Sequence, residues 1–295
     1  MPDHVLVPID GSEQADAALE YALVSFLDAT FSVVFVVDPA HDHEASVGGS
    51  DTAFDRTKAR GKRILERANA RAEDRGLEIT TELRTGRPHT EILEVATRVD
   101  HVVLGTHGRS PITSPFLGRV SEAVIRRSPV STTVVPEPVD AVRAREFPGR
   151  ILVPLDGSEQ ADAALEYALE TFPESELTVL HALSLPFDRP RADVEGTYLE
   201  AILDDREARA ETIFEDAREI ATERGVTIET AVENESPARA TLDHAETNDF
   251  DQIVMGTHGR SLPARLIIGS VAERVTRRSS RTITLVRGRP TEPST

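Results

Sequence analysis

The chain of 295 residues carries 33 basic and 51 acidic side chains, a formal net charge of −18, and no cysteine. The missing thiols exclude disulfides, thiolate metal sites and thiol catalysis, and the negative field argues against nucleic acid or an anionic membrane surface as partner. At roughly 150 residues per domain the length predicts two domains, each able to bury a core of its own.

Val5-Leu6-Val7-Pro8-Ile9 is an apolar, β-branched run suited to a buried parallel strand, and Asp10-Gly11-Ser12 breaks it. Ser12 suits a helix N-cap, and Ala15, Ala18, Leu19, Ala22, Leu23 and Phe26 then share one face of a 3.6-residue period. Phe31 to Val37 predicts a second strand, and the polar segment Asp38 to Ser50 a loop. A long charged helix follows through Ile64, Leu65 and Ala68, expected to be interrupted at Gly61 and to stop near Gly76. Leu77 to Leu83 alternates loosely, as an edge strand does, and Pro88 opens a helix with Ile92, Leu93 and Ala96 as its stripe. Val102-Val103-Leu104 is the fourth strand, residues 118 to 127 the helix after it, and Thr132 to Val135 the last strand.

Residues 136 to 149, with three prolines and no sustained apolar period, read as a linker, after which the pattern restarts. Val153 to Leu169 repeats Val7 to Leu23 with a single change, Ile9 to Leu155. The expected organisation is a domain over 1–138, a linker over 139–148 and a second domain over 149–295. Strands alternating with helices predict parallel pairing with right-handed crossovers, hence an α/β fold of two tandem doubly wound five-stranded sheets, strand order 3-2-1-4-5.

Gly256-Thr257-His258-Gly259-Arg260 follows an apolar run and precedes Gly269-Ser270-Val271, where a helix begins. The first half repeats this as Gly105-Thr106-His107-Gly108-Arg109 and then Gly118-Arg119-Val120, at the same spacing. A strand, a glycine loop and a helix start form a phosphate cradle, because unpaired amides and the positive helix end point the same way. Strands 1 and 4 are neighbours where the order reverses, so Asp10 and Asp156 face the same crevices. Two plainer readings stand beside this: the glycines as tight turns, and the aspartates as turn or capping residues. His107 and His258 have no second ligand at metal spacing and suit loop hydrogen bonds; Arg109 and Arg260 suit phosphate neighbours or exposed surface.

Asp-Gly-Ser after the first strand, with Gly-x2-Gly-x9-Gly-Ser after the fourth, resembles the nucleotide-binding branch of the universal stress protein family, in both halves. The resemblance implies an adenine nucleotide α-hydrolase-like fold and a site for ATP, or AMP or ADP, with Mg²⁺ as a companion ion. It places Asp156, Ala182, Gly256, Gly259, Gly269, Ser270 and Val271 around the nucleotide, and in the first half Asp10, Val36, Gly105, Gly108, Gly118, Arg119 and Val120. Pro8, Pro154, Thr257, His258, Arg109 and Arg260 complete the candidate contacts. Arg119 stands where the family pattern has Ser or Thr, bringing a cation or a bulky obstruction, so the second half is the expected better site. The resemblance also implies an intramolecular pseudo-dimer through the last strands, with a homodimer as an alternative, and a stress-response or regulatory role.

Neither Gly-x4-Gly-Lys-Ser/Thr nor Gly-x-Gly-x2-Gly occurs, and neither half offers a nucleophile elbow or an acid/base pair. A slow ATPase or nucleotidyl-transfer enzyme, or a nucleotide-free interaction module, are the alternatives. Met1 to Asp10 has no basic leader or apolar signal core, and no apolar run approaches the roughly 18 residues of a membrane helix, so a cytoplasmic protein is expected. Only Lys58 and Lys62 are lysine. Acidity with lysine depletion suits a halophilic source, because at 1 M salt a Debye length of roughly 3 Å leaves little mutual repulsion.

Overall fold

Each strand-like run becomes a parallel strand, and the chain folds as two units, Met1–Phe147 and Pro148–Thr295. The computed structural model describes residues 1–39, 50–106, 117–145, 149–184, 195–257 and 268–288. In the first unit β1 (His4–Pro8) pairs with β2 (Thr30–Val37) on one side and β4 (His101–Gly105) on the other; β3 (Ile79–Thr85) flanks β2, and β5 (Ser131–Val135) flanks β4. The order is the expected 3-2-1-4-5. Val5 lies opposite both Phe31 and His101, and Val5, Leu6, Val7, Val33, Val34, Val102 and Val103 are wholly buried. Continuous β-branched runs are what a sheet covered on both faces requires.

Helix α1 (Glu13–Ser25) starts at Ser12, whose Oγ accepts from the Ala15 amide at 3.2 Å. Its predicted apolar face is buried, and so are Ala17, Glu20 and Tyr21. Helix α2 (Ser50–Glu73) runs unbroken through Gly61, where an interruption was expected. A Cβ on Gly61 would meet Phe35 Cδ1 and Leu83 Cδ1 at 2.7 Å, so the glycine lets the helix close onto the sheet, and that packing outweighs its weak helix propensity. Helix α3 (Pro88–Ala96) packs on α4 (Arg119–Arg127).

The segment expected as linker holds a short helix, α5 (Val139–Ala144), which packs against α1. Val142 is wholly buried, and Arg143 Nε lies 3.2 Å from Glu20 Oε1.

The second unit repeats the plan with β6 (Arg150–Pro154), β7 (Glu176–Ala182), β8 (Glu229–Glu233), β9 (Gln252–Gly256) and β10 (Thr282–Val286) in the order β8-β7-β6-β9-β10. Its helices are α6 (Glu159–Thr171), α7 (Tyr198–Glu223), α8 (Pro237–Thr247) and α9 (Ser270–Arg278). Ser158 caps α6 as Ser12 caps α1, its Oγ accepting from the Ala161 amide at 3.3 Å.

Candidate functional site

The crevice of each unit lies at the carboxyl ends of its two central strands, β1 and β4 or β6 and β9, where the order reverses. Pro8 and Pro154 end β1 and β6, and Asp10 and Asp156 follow in tight turns. Asp10 Oδ1 accepts from the Ser12 amide at 2.9 Å, and Asp156 Oδ1 accepts from the Ser158 amide at 3.1 Å. Each aspartate therefore has the turn role that its residue type favours. Gly11 and Gly157, at φ +78° and +71°, supply the left-handed step that brings those amides round. Asp156 stays exposed, so a structural bond and a ligand contact are compatible. Val36 and Ala182, both half-buried, sit near the ends of β2 and β7.

Gly105 and Gly256 have a packing function. A Cβ on Gly105 would lie 2.6 Å from the carbonyl carbon and oxygen of Gln14, and one on Gly256 would lie 2.6 Å from the Gln160 oxygen. The strand end presses against the backbone at the start of α1 or α6, and only glycine permits that approach. Beyond the strand, the Gly118 amide donates to the Thr106 carbonyl and the Gly269 amide to the Thr257 carbonyl, both at 2.7 Å; the Thr257 amide donates to Val286 O at 3.1 Å. A cradle reaching from residue 256 to residue 271 is thus narrower than the sequence suggested, since the protein itself satisfies the Thr257 and Gly269 amides.

The helix starts themselves remain. Among the described residues no side chain caps α4 or α9, and their first intrahelical bonds, Glu122 N to Gly118 O and Glu273 N to Gly269 O, are both 2.9 Å. First-turn amides of α4 (Arg119, Val120, Ser121) and α9 (Ser270, Val271, Ala272) therefore lie at a positive helix end. Arg119 and Ser270 are exposed at these starts, and Val120 and Val271 are half-buried. In the first unit Ser121 Oγ also donates to Gly105 O at 2.8 Å, tying α4 to β4; Ala272 occupies that place in the second. His107, Gly108, Arg109, His258, Gly259 and Arg260 lie outside the described residues.

One crevice residue was not anticipated. Arg60 of α2 donates through Nη2 to the Asp10 carbonyl at 2.6 Å. The signal was present, because Arg209 recurs at the same distance before the glycine that follows each helix, Gly76 or Gly225. Around the second crevice burial pushes the Asp162 pKa up, aided by the carboxylates of Asp216, Asp156, Glu166 and Glu159. Among the described residues no group of three or more His, Cys, Asp or Glu could hold a metal ion, and no helix is long and apolar enough to cross a membrane.

Comparison with known proteins supplies the lineage. The universal stress protein family matches residues 1–136 and again 148–287. Two universal stress proteins of Mycobacterium tuberculosis (strain ATCC 25618 / H37Rv) are similar: one is 26% identical over 296 residues, covering 92% of this chain and 90% of the relative. The other is 27% identical over 284 residues, covering 92% of each. A crystal structure of a universal stress protein from Archaeoglobus fulgidus DSM 4304 shares the fold, with a TM-score of 0.68, 23% identity and coverage of 97% of this chain and 98% of that one. The repeated strand order, the doubled family match and relatives of the same length agree: the chain belongs to the universal stress protein family and carries two of its domains in tandem.

Proposed function

We propose that this protein binds ATP, or another adenine nucleotide, at the crevices beside β1 and β6 and acts as a regulatory component of a stress response. The observation that carries the reading is a pairing in each unit: a helix start that no described side chain caps, that of α4 or α9, belongs to the strand beside the one that ends in the aspartate turn of Asp10 or Asp156. Uncapped first-turn amides beside a carboxylate-bearing turn suit a ligand that carries both phosphate oxygens and hydroxyl donors. Amides of Ser270, Val271 and Ala272, and of Arg119, Val120 and Ser121, would meet phosphate oxygens, and Asp156 or Asp10 a hydroxyl or an amine. Described residues offer no metal cluster of their own, so a Mg²⁺ would arrive on the nucleotide's phosphates. The acidic composition and two lysines further support a high-salt environment.

Isothermal titration of the full chain with ATP, with and without Mg²⁺, tests the reading; no heat of binding at millimolar nucleotide in a folded sample ends it. Replacing Ser270 with Trp crowds the first-turn amides of α9 and is expected to weaken binding at least about tenfold, a loss of ~1.4 kcal/mol. Arg119→Ala, at an exposed side chain, is expected to change it less, and equal effects would contradict these roles.

A further inference from the structure

Glu13 to Leu23 of α1 and Glu159 to Leu169 of α6 are identical in sequence, but their outer sides meet different surroundings. α5 lies against α1, where Ala17 and Tyr21 are wholly buried and Glu20 is 1% exposed. Val142 of α5 is wholly buried, and Arg143 reaches both oxygens of Glu20, Nε to Oε1 and Nη2 to Oε2, each at 3.2 Å. On α6 the same three positions hold Ala163, Tyr167 and Glu166; the first two are half-buried and the glutamate side chain is 49% exposed.

The described residues end at Gly288, two beyond β10, and no described helix stands against α6 as α5 stands against α1. Counted from the ends of β5 and β10, Pro293 and Ser294 fall where Val142 and Arg143 fall, so residues 289–295 offer neither the apolar side chain nor the guanidinium at those places. The carboxylates of α6 are also less fully matched. Arg75 and Arg143 both serve Glu20, whereas Arg224, the counterpart of Arg75, is shared, with Nη2 3.6 Å from Glu166 Oε1 and 3.4 Å from Glu170 Oε1. Glu170 stands in place of Val24 and adds an acid one turn along.

We propose that the outer face of α6, formed by Ala163, Glu166, Tyr167 and Glu170, is a docking surface for a short basic amphipathic helix of a partner protein. That helix carries apolar residues three apart and an arginine directly after the second, as Val139, Val142 and Arg143 do in α5. The first repeat is the template, because it shows an identical stretch of helix taking such a segment on this side. The partner's apolar side chains would cover Ala163 and the Tyr167 ring, and its arginine would pair with Glu166, leaving Arg224 to Glu170. A net charge of −18 favours the approach of a basic segment. α5 of a second copy is a poor occupant, since its own α1 is tethered beside it at a far higher effective concentration. Glu166 lies about two turns along α6 from the Ser158 cap, so docking there does not depend on nucleotide in the crevice.

The probe is a labelled peptide of residues 136–145, held helical by a lactam between Asp140 and Ala144→Lys, both exposed in α5, because so short a helix is marginal alone. Titrated with the full chain and followed by fluorescence anisotropy, it is expected to bind with a Kd on the order of 0.1 mM. Glu166→Arg should weaken binding at least about tenfold, and a peptide with Arg143→Glu should recover that loss on the Glu166→Arg chain, a rescue that misfolding cannot produce. Ending the chain at Gly288 should leave the affinity within about twofold. No binding at about 1 mM chain, or binding that Glu166→Arg leaves unchanged, would overturn the docking surface. Binding tightened about tenfold by the truncation would make residues 289–295 the occupant and overturn the partner helix.

Discussion

His101 opens β4 wholly buried, with Nε2 2.8 Å from Thr133 Oγ1 on the neighbouring strand. Burial pushes its pKa down to about 3. In the unfolded chain the imidazole titrates near its ordinary value of about 6.5. Between those values the unfolded state binds the proton and the folded state does not. The stability is therefore complete above about pH 6.5 and is lost as pH falls towards the folded value, at up to ~1.4 kcal/mol per pH unit. The second repeat meets the same need with Gln252, whose Nε2 donates to Thr284 Oγ1 at 2.9 Å and does not titrate. His101→Gln is expected to flatten the acid limb of the first repeat, read as urea midpoint against pH between about 6 and 4. A slope equal to that of the wild type would reject burial of a neutral imidazole as its cause. Gly105→Ala and Gly256→Ala are expected to cost about 1–3 kcal/mol each, because the added Cβ meets backbone that cannot swing away. Chemical unfolding measures that cost, and a change below ~0.5 kcal/mol would mean the strand end and helix start are not pressed together.

At the scale of elements, α5 changes what its neighbour experiences. Glu20 on α1 is 1% exposed and contacts Arg75 and Arg143, whereas Glu166, at the identical place on α6, is 49% exposed with Arg224 Nη2 at 3.6 Å. Removing the carboxylate should therefore have unequal effects. Glu20→Ala leaves two partly exposed guanidinium groups without their partner and is expected to cost about 1–3 kcal/mol. Glu166→Ala removes a solvent-screened contact and is expected to cost less than ~1 kcal/mol. Thermal unfolding of the two variants side by side checks this, and similar costs would show that α5 does not shield Glu20. The strands and long helices were legible because hydrophobic period and capping chemistry are local properties of the chain. α5 was not legible: a six-residue helix with Val142 as its buried residue leaves no period to read. Gly61 misled for a related reason, since its propensity is local whereas the contact with Phe35 and Leu83 that overrides it comes from the distant β2 and β3.

For the whole molecule, a net charge of −18 makes self-repulsion a general destabilising term, and α7, with nine acidic residues in one helix, concentrates it. Added salt shortens the Debye length from about 10 Å at 0.1 M to about 3 Å at 1 M and should relieve it. The melting temperature is expected to rise by several degrees between those concentrations of KCl; a flat or falling response would remove the support for a high-salt environment. The candidate site divides along the same line as the fold. The aspartate turns, the paired glycines and the helix starts stood in the sequence as a repeated motif, but their division of labour did not. Which amides the protein consumes, which glycines serve packing and where Arg60 reaches depend on distances between segments far apart in the chain. Val7 to Leu23 and Val153 to Leu169 differ at one position, and that local identity dictated the same strand, turn, serine cap and helix in both. Tertiary structure alone made one copy's glutamate a buried partner of two arginines and left the other's at the surface, because burial belongs to whatever packs against a helix and is not encoded in the helix itself.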